Sequence, residues 1–345
     1  MKAAYLEAFG GPEKILYGEL PDPKPGKGEA LVRVRACALN HLDFWVRDGL
    51  PAYKISLPHV LGNDIAGEVV ELGPETSNEV PIGTRVIVSP GVSCWNCEAC
   101  RGGRDNICDR YAILGADGGW GGYAELAKVP AVNLVAIPDE KMGFPEAASI
   151  PLTFLTSWHM LKTLAGLKKG ETVLVTGSGS GVGVAAIQIA KALGARVLAA
   201  SSSEEKLAAA KSLGADETVL TPKQSLYRKA MKLTGRRGVD VAFEHVGPPL
   251  FGEALKSLAP GGRLVTCGAT AAPKAELDLR YVFFKELKIM GAKVGTLAEL
   301  KELIRLFADG RLKPVIDRTF PLNEARQAHE YLAARRQFGK VVLTT

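Results

Sequence analysis

Residues 171–195, ETVLVTGSGSGVGVAAIQIAKALGA, constrain the fold more than any other stretch of the chain. An uninterrupted apolar run enters a turn with four glycines, then a segment whose apolar residues recur at helical spacing. Gly177, Gly179, Gly181 and Gly183 let the backbone turn tightly and seat the helix closely on the strand. The helix N-terminus then offers free N–H groups and a positive dipole end to an anion such as a pyrophosphate. From Glu171 onward apolar strand alternates with amphipathic helix, the strands being read at 173–176, 197–200, 217–220, 240–243, 263–267 and 287–291. Helical runs of about a dozen residues separate the earlier ones, as parallel crossovers need. The expectation is an α/β fold, a doubly wound parallel sheet with a dinucleotide at the strand C-terminal ends.

An NAD site of this kind places an acidic residue at the end of the second strand to hold the ribose hydroxyl. Counting along VLAASSSEEKL, that position falls at Ser201. Serine removes the carboxylate that would repel a 2′-phosphate, and Ser202 with Lys206 supplies partners for one. NADPH is therefore the expected cofactor, and NADH the alternative if Glu204 or Glu205 reaches back to the ribose. The cofactor-binding set comprises Gly177, Ser178, Gly179, Ser180, Gly181, Val182, Gly183, Ser201, Ser202 and Lys206, with Val246 and Gly268 at later strand ends.

The first 131 residues follow a different pattern. Short alternating runs at 30–36, 67–73 and 84–89, punctuated by Gly and Pro, read as a barrel or sandwich. Helical periodicity covers 145–164, and the last fifty residues hold helix, strand (315–320), helix (323–336) and strand (341–344), expected to pack back on the N-terminal half. At about 150 residues per domain, 345 residues make roughly two domains. Lys+Arg 43 against Asp+Glu 37 gives +6, scattered and not massed, which excludes a basic arm for nucleic acid. No window forms a membrane span, and MKAAYLEAFGG lacks a signal-peptide core, so the expected address is cytoplasmic and the expected partner a small-molecule substrate.

Cys94, Cys97, Cys100 and Cys108 are separated by two, two and seven residues. That spacing wraps a tetrahedral cation, and structural zinc is the expected one. The rival iron–sulfur run has a shorter last gap followed by Pro, whereas Asp109 follows Cys108. Four thiolates leave no open coordination position, so this metal stabilises and does no chemistry. Cys37 and Cys267 stand alone in apolar runs and read as buried small hydrophobes.

Together these parts resemble the medium-chain dehydrogenase/reductase superfamily, which includes zinc alcohol dehydrogenases and quinone reductases. The likeness covers essentially the whole chain and is carried by LGNDIAGEVVELG (61–73), the cysteine lobe, GGYAEL (121–126), PLTFLTSWHML (151–161) and the glycine loop. It implies a β-rich GroES-like catalytic domain at 1–150 and 296–345, with the zinc lobe around 90–110, and a Rossmann domain at 151–295. It also implies Thr156 beside the nicotinamide and a homodimer or homotetramer formed through the dinucleotide domain.

Zinc alcohol dehydrogenases of that superfamily carry a second, catalytic zinc on Cys, His and Cys, with Glu close by. The matching positions here are Asn40, Asn63, Leu152 and Asp64, and none of the three usual ligands survives. RACALNHLDFWVRDG (35–49) is instead similar to the quinone-reductase pattern, matched at Asn40, Asp43, Arg47 and Gly49. A cage of His41, Asp43, His59 and Asp64 is chemically able but matches no ligand spacing, and His159, His245 and His329 read as packing or surface residues.

Hydride addition to an unactivated ketone builds an alkoxide that a Lewis acid stabilises. Without one, the easier acceptors are a quinone, an enone or an acryloyl-type thioester, whose incoming charge spreads to an oxygen that hydrogen-bond donors can hold. The expected function is NAD(P)H-dependent reduction of such an acceptor in the cleft between the domains. The Asn40 amide is expected to touch the developing enolate, with Thr156 at the nicotinamide and an Asp43–Arg47 pair bracing the wall, while the Tyr53 hydroxyl reads equally as a second contact to the enolate or as a surface aromatic in a loop. Two alternatives stand beside it: an alcohol dehydrogenase with unfamiliar zinc ligands, and an NADPH-binding protein without turnover.

Overall fold

The computed structural model describes residues 1–76, 80–138, 141–221 and 223–345. The chain divides into two compact units, Met1–Leu152 with Thr296–Thr345, and Thr153–Gly295.

The first unit opens with β1 (Lys2–Leu6), β2 (Ile15–Glu19), β3 (Glu29–Ala38) and the short helix α1 (His41–Arg47). There follow β4 (His59–Val60), β5 (Asp64–Leu72) and β6 (Arg85–Val88). A small lobe holds β7 (Gly91–Val92), α2 (Glu98–Arg101) and β8 (Ala112–Ile113). Then come β9 (Leu126–Pro130), β10 (Leu134–Ala136) and α3 (Phe144–Ala148), after which α4 (Pro151–Trp158) begins in the first unit and carries the chain into the second from Thr153. Helical spacing over 145–164 is thus realised in pieces. Pro151 has no N–H to continue α3, so it starts a new helix, and residues 159–164 form a π-helical turn.

In the second unit β11 (Thr172–Val175), α5 (Gly181–Ala192), β12 (Arg196–Ser201), α6 (Glu204–Ser212), β13 (Glu217–Leu220), α7 (Leu226–Leu233) and β14 (Val239–Glu244) alternate. They continue into α8 (Leu250–Lys256), β15 (Leu258–Thr266), α9 (Leu279–Phe284) and β16 (Lys288–Gly291). The chain then re-enters the first unit as α10 (Leu297–Ala308), β17 (Ile316–Pro321), α11 (Ala325–Ala333) and β18 (Lys340–Thr344).

The six strands of the second unit pair in parallel in the order β13-β12-β11-β14-β15-β16. This is the doubly wound arrangement, with its switch point between β11 and β14. The inner strands are buried on both faces, which is why VLV and VAF are continuous apolar runs without alternation. In the first unit the main sheet runs β10-β6-β5-β3-β18-β17, with β9 also on β3, and β2-β1-β4 forms a smaller sheet. β18 lies antiparallel to β3, Val342 opposite Ala38, so the C-terminal strand completes a sheet begun by the N-terminal third. Val32, Val34, Ile65, Val86 and Val341 lie in its core.

The glycine loop is a steric necessity. Gly177 has φ +54, a left-handed conformation that a Cβ disfavours. A Cβ on Gly183 would stand 2.4 Å from the Gly177 carbonyl oxygen. Gly183→Ala is expected to cost more than about 2 kcal/mol, read as a fall in the urea midpoint at unchanged slope. An unchanged midpoint would show that the loop has room to move.

Candidate functional site

The glycine loop is joined to the strand ends by short contacts. Ser180 caps α5, its Oγ accepting from Gly183 N at 3.0 Å. His245 Nε2 lies 3.0 Å from the Thr176 carbonyl and 3.3 Å from Ser180 Oγ, so that ring nitrogen carries the hydrogen and braces the loop. Glu244 Oε1 accepts from Val246 N (2.8 Å) and Gly247 N (2.9 Å), which shapes the turn after β14. Burial raises the Glu244 pKa. Gly268 lies against the His245 carbonyl, 3.2 Å from where its Cβ would be, so Val246 and Gly268 flank one strand-end segment. Ser157 Oγ bonds the Val182 carbonyl at 3.0 Å and so ties α4, with its buried Thr156, to the start of α5.

Beside the loop, Lys206 lies over Gly179, where a Cβ would stand 2.7 Å from its Cδ. Ser201 is buried at the end of β12, its Oγ accepting from Ser203 N at 3.4 Å, and Ser202 is exposed. Glu204 pairs with Lys223 at 3.1 Å, both exposed. A dinucleotide fits these residues: the loop places bare backbone at a helix N-terminus, and the buried Ser178 Oγ meets no protein partner.

The four cysteines converge in the lobe, their Sγ atoms within 4.8 Å of one another, with Cys94 and Cys100 4.0 Å apart. Zinc at a bond length of about 2.3 Å spaces tetrahedral sulfurs about 3.8 Å apart, so the donors fit. Backbone N–H groups of Cys97, Cys94 and Arg110 donate to Cys94 Sγ, Cys108 Sγ and Cys108 Sγ, each at 3.3 Å. The Asn96 amide, then that of Cys97, pulls the Cys94 thiol down to about 6, favouring the thiolate a metal takes. Among the described residues this is the only His/Cys/Asp/Glu group close enough to hold a metal.

Asn40, Asn63, Asp64 and the Leu152 amide also come together, but around an ammonium. Lys340 Nζ, 4% exposed, donates to Leu39 O (2.7 Å), Asn40 Oδ1 (2.6 Å) and Asp64 Oδ2 (2.9 Å), which uses all three hydrogens. Asp64 Oδ1 accepts from Leu152 N at 2.6 Å. Two amides, a leucine and a cation do not fit a catalytic zinc. Asn40 Nδ2 donates to Asn63 Oδ1 and Asp64 Oδ2, both at 2.8 Å, so both its amide hydrogens are engaged. The expected Asn40 donation to an enolate has no free hydrogen to make it, and Asn40 instead holds the wall.

Asp43 does not pair with Arg47, contrary to the sequence reading. Both lie on α1, yet Asp43 accepts from Asn40 N (2.8 Å), Asn63 Nδ2 (3.2 Å) and Tyr123 OH (3.0 Å), while Arg47 pairs with Asp48 at 2.7 Å. Arg47 Nη1 donates to His329 Nδ1 (3.1 Å), which leaves His329 Nε2–H to donate to Tyr123 OH (3.2 Å). The chain is directional: Arg47, His329, Tyr123, Asp43. Burial pushes Asp43 up to about 6. Burial, then the Arg47 charge, pushes His329 down to about 3. Tyr53 is half-buried against the core of the same unit, with burial and then Asp117 raising its hydroxyl pKa. Lys340, Tyr123 and His329 were not singled out from sequence as site residues. The one available signal was a lysine heading the apolar strand KVVLT.

Residues 26–139 match the alcohol dehydrogenase GroES-like domain, and residues 181–309 match the zinc-binding dehydrogenase family. The chain is 35% identical to an acryloyl-coenzyme A reductase of Metallosphaera sedula, over 95% of each chain. It is 33% identical to a quinone oxidoreductase of Pseudomonas aeruginosa, over 99% of each. A solved structure described as an NAD-dependent alcohol dehydrogenase superposes with a TM-score of 0.95 at 44% identity over 100% of both chains. The chain belongs to the medium-chain dehydrogenase/reductase superfamily. It is a nicotinamide-dependent oxidoreductase whose lobe is built for zinc.

The buried network has a signed pH dependence. His329 titrates near 3 folded and 6.5 unfolded, so its contribution is present above pH 6.5 and lost as pH falls towards 3. Asp43, raised from 3.8 to about 6, acts oppositely: its contribution is present below 3.8 and lost as pH rises through 6. His329→Gln is expected to remove the first effect. The stability difference between wild type and variant, from urea midpoints, should shrink from pH 7.5 to 4.5, and a constant difference refutes the assignment.

Proposed function

We propose that the protein reduces a quinone or a double bond conjugated to a carbonyl, using NADPH. The observation that carries this reading is the Lys340 ammonium bonded to Asn40 and Asp64, where a Lewis-acid enzyme would need metal donors. An acceptor that delocalises charge onto its own carbonyl oxygen then needs only hydrogen-bond donors. The relatives that reduce acryloyl-coenzyme A and quinones support the same substrate class.

A bound nicotinamide supplies the hydride. Thr156 and the strand-end residues Val246 and Gly268 are proposed to hold its ring, and the loop from Gly177 to Gly183 its pyrophosphate. Tyr53, whose phenol keeps its proton, is the proposed donor to the developing enolate. Asn40 contributes by fixing Asn63 and Asp64. The cysteine lobe is proposed to carry one structural zinc, and the cytoplasm, which keeps thiols reduced, is the proposed address.

NADPH is favoured because β12 ends in Ser201 followed by Ser202 where a carboxylate would repel a 2′-phosphate, Lys206 lies over Gly179, and Glu204 is engaged by Lys223. Lys206→Ala is expected to raise KM for NADPH about tenfold or more with little effect on NADH, the size of a lost hydrogen bond to charge. Equal effects on the two cofactors in initial-rate assays would refute the 2′-phosphate role.

A homodimer or homotetramer is proposed through the cofactor unit. Among the described residues β16 is an edge strand paired only with β15, and Leu279, Phe283 and Phe284 of the preceding helix α9 are exposed, Phe284 at 77%. The decisive experiment follows NADPH oxidation with an enone, a quinone, an acryloyl thioester and a simple aldehyde, with zinc and sedimentation mass measured on the same sample. Turnover of the activated acceptors only, one zinc per chain and a multiple of 36.7 kDa are expected. Aldehyde reduction with two zinc ions per chain would establish the alcohol dehydrogenase reading instead.

A further inference from the structure

We infer that Asp105 is a positioning residue through which the cysteine lobe holds the start of α10, the helix that follows the last strand of the cofactor sheet along the chain. Asp105 sits between Cys100 and Cys108 and is buried. Its Oδ2 accepts from Leu297 N, the first residue of α10, at 3.1 Å. Its own carbonyl accepts from Ser93 Oγ (2.7 Å) and Cys108 N (3.2 Å). The residue is thus fastened by one neighbour of a zinc ligand and by a ligand itself, and it reaches a helix start 192 positions away.

The first turn of α10 depends on that reach. Thr296 and Glu299 form a reciprocal capping pair, Glu299 N donating to Thr296 Oγ1 at 3.2 Å and Thr296 N to Glu299 Oε2 at 2.7 Å. Leu297 N is left to Asp105, whose carboxylate also faces the positive end of a 12-residue helix. Leu297, Leu300, Leu303, Ile304 and Phe307 are buried, so the helix axis is fixed once its start is fixed. Residues 292–295 alone separate Thr296 from the C-terminal end of β16, the edge at which a doubly wound sheet binds its ligand.

The other crossing of the chain is an internal control. There Leu152 N is held by Asp64, whose charge is met by Lys340, with no cysteine involved. Loss of zinc should therefore loosen residues 296–300 and leave 150–156 unchanged. The kinetic half of the inference rests on reading that sheet edge as the nicotinamide site.

The experiment measures amide hydrogen exchange, zinc content and KM for NADPH on wild type, Asp105→Ala and Asp105→Asn. Asp105→Ala is expected to keep its zinc, to exchange about tenfold faster over 296–300 only, and to raise KM for NADPH with kcat nearly unchanged. Asn, which still offers an oxygen acceptor, should restore most of both. Chelating zinc from wild type should reproduce the local exchange change, and in Asp105→Ala it should add nothing there. Unchanged exchange in zinc-loaded Asp105→Ala, or equal loosening of 150–156 on chelation, overturns the inference. Faster exchange with an unmoved KM overturns the positioning role. Failure of wild type to bind NADPH counts against the cofactor reading instead.

Discussion

Lys340 and Asp64 form a buried ion pair at 2.9 Å, with the lysine side chain 4% exposed and the aspartate fully enclosed. Two charges taken out of water are tolerable only when every hydrogen and lone pair finds a partner. Here the ammonium has three acceptors, and the carboxylate takes Lys340, the Asn40 amide and the Leu152 amide. Removing either ion would strand the other at a cost of about 3–5 kcal/mol. The pair therefore fixes several things together: the C-terminal strand on β3, the Asn40 amide, and the start of α4.

A second buried set adjoins it. Asp43 takes three donors, and Arg47 supplies a positive charge at the far end of the His329–Tyr123 chain. The two sets share Asn40 and Asn63, so one polar body runs through the apolar core of the first unit. Such a network is stable because it is satisfied throughout, and it specifies one arrangement of α1, β5, α11 and β18.

The chemistry of the two candidate metal positions separates on donor type alone. Thiolates aided by backbone N–H groups suit a soft, closed tetrahedral site. Amides bonded to one another, to a carboxylate and to an internal ammonium do not suit a catalytic zinc. Beside the glycine loop, Lys206 lies over Gly179 and β12 ends in the buried Ser201, not in a carboxylate.

Much of this was legible in the sequence, because it depends on local pattern. Apolar runs spaced by amphipathic helices determined the parallel sheet, four glycines in seven residues determined the phosphate turn, and four cysteines in fifteen determined the metal lobe. The absence of Cys and His at three matched positions likewise followed from residue identity. What lay beyond reach were partnerships between distant residues: Lys340 with Asn40 across 300 positions, Arg47 with His329 across 282, Asp43 with Tyr123 across 80. The Asp43–Arg47 pairing failed for that reason. Four residues apart on one helix they invited a local pair, but the fold brought each a better-placed partner from elsewhere. Periodicity and spacing report on a segment's own backbone, whereas the partner of a buried charge is chosen by whichever strands the completed sheet sets side by side. Only the tertiary structure could decide that.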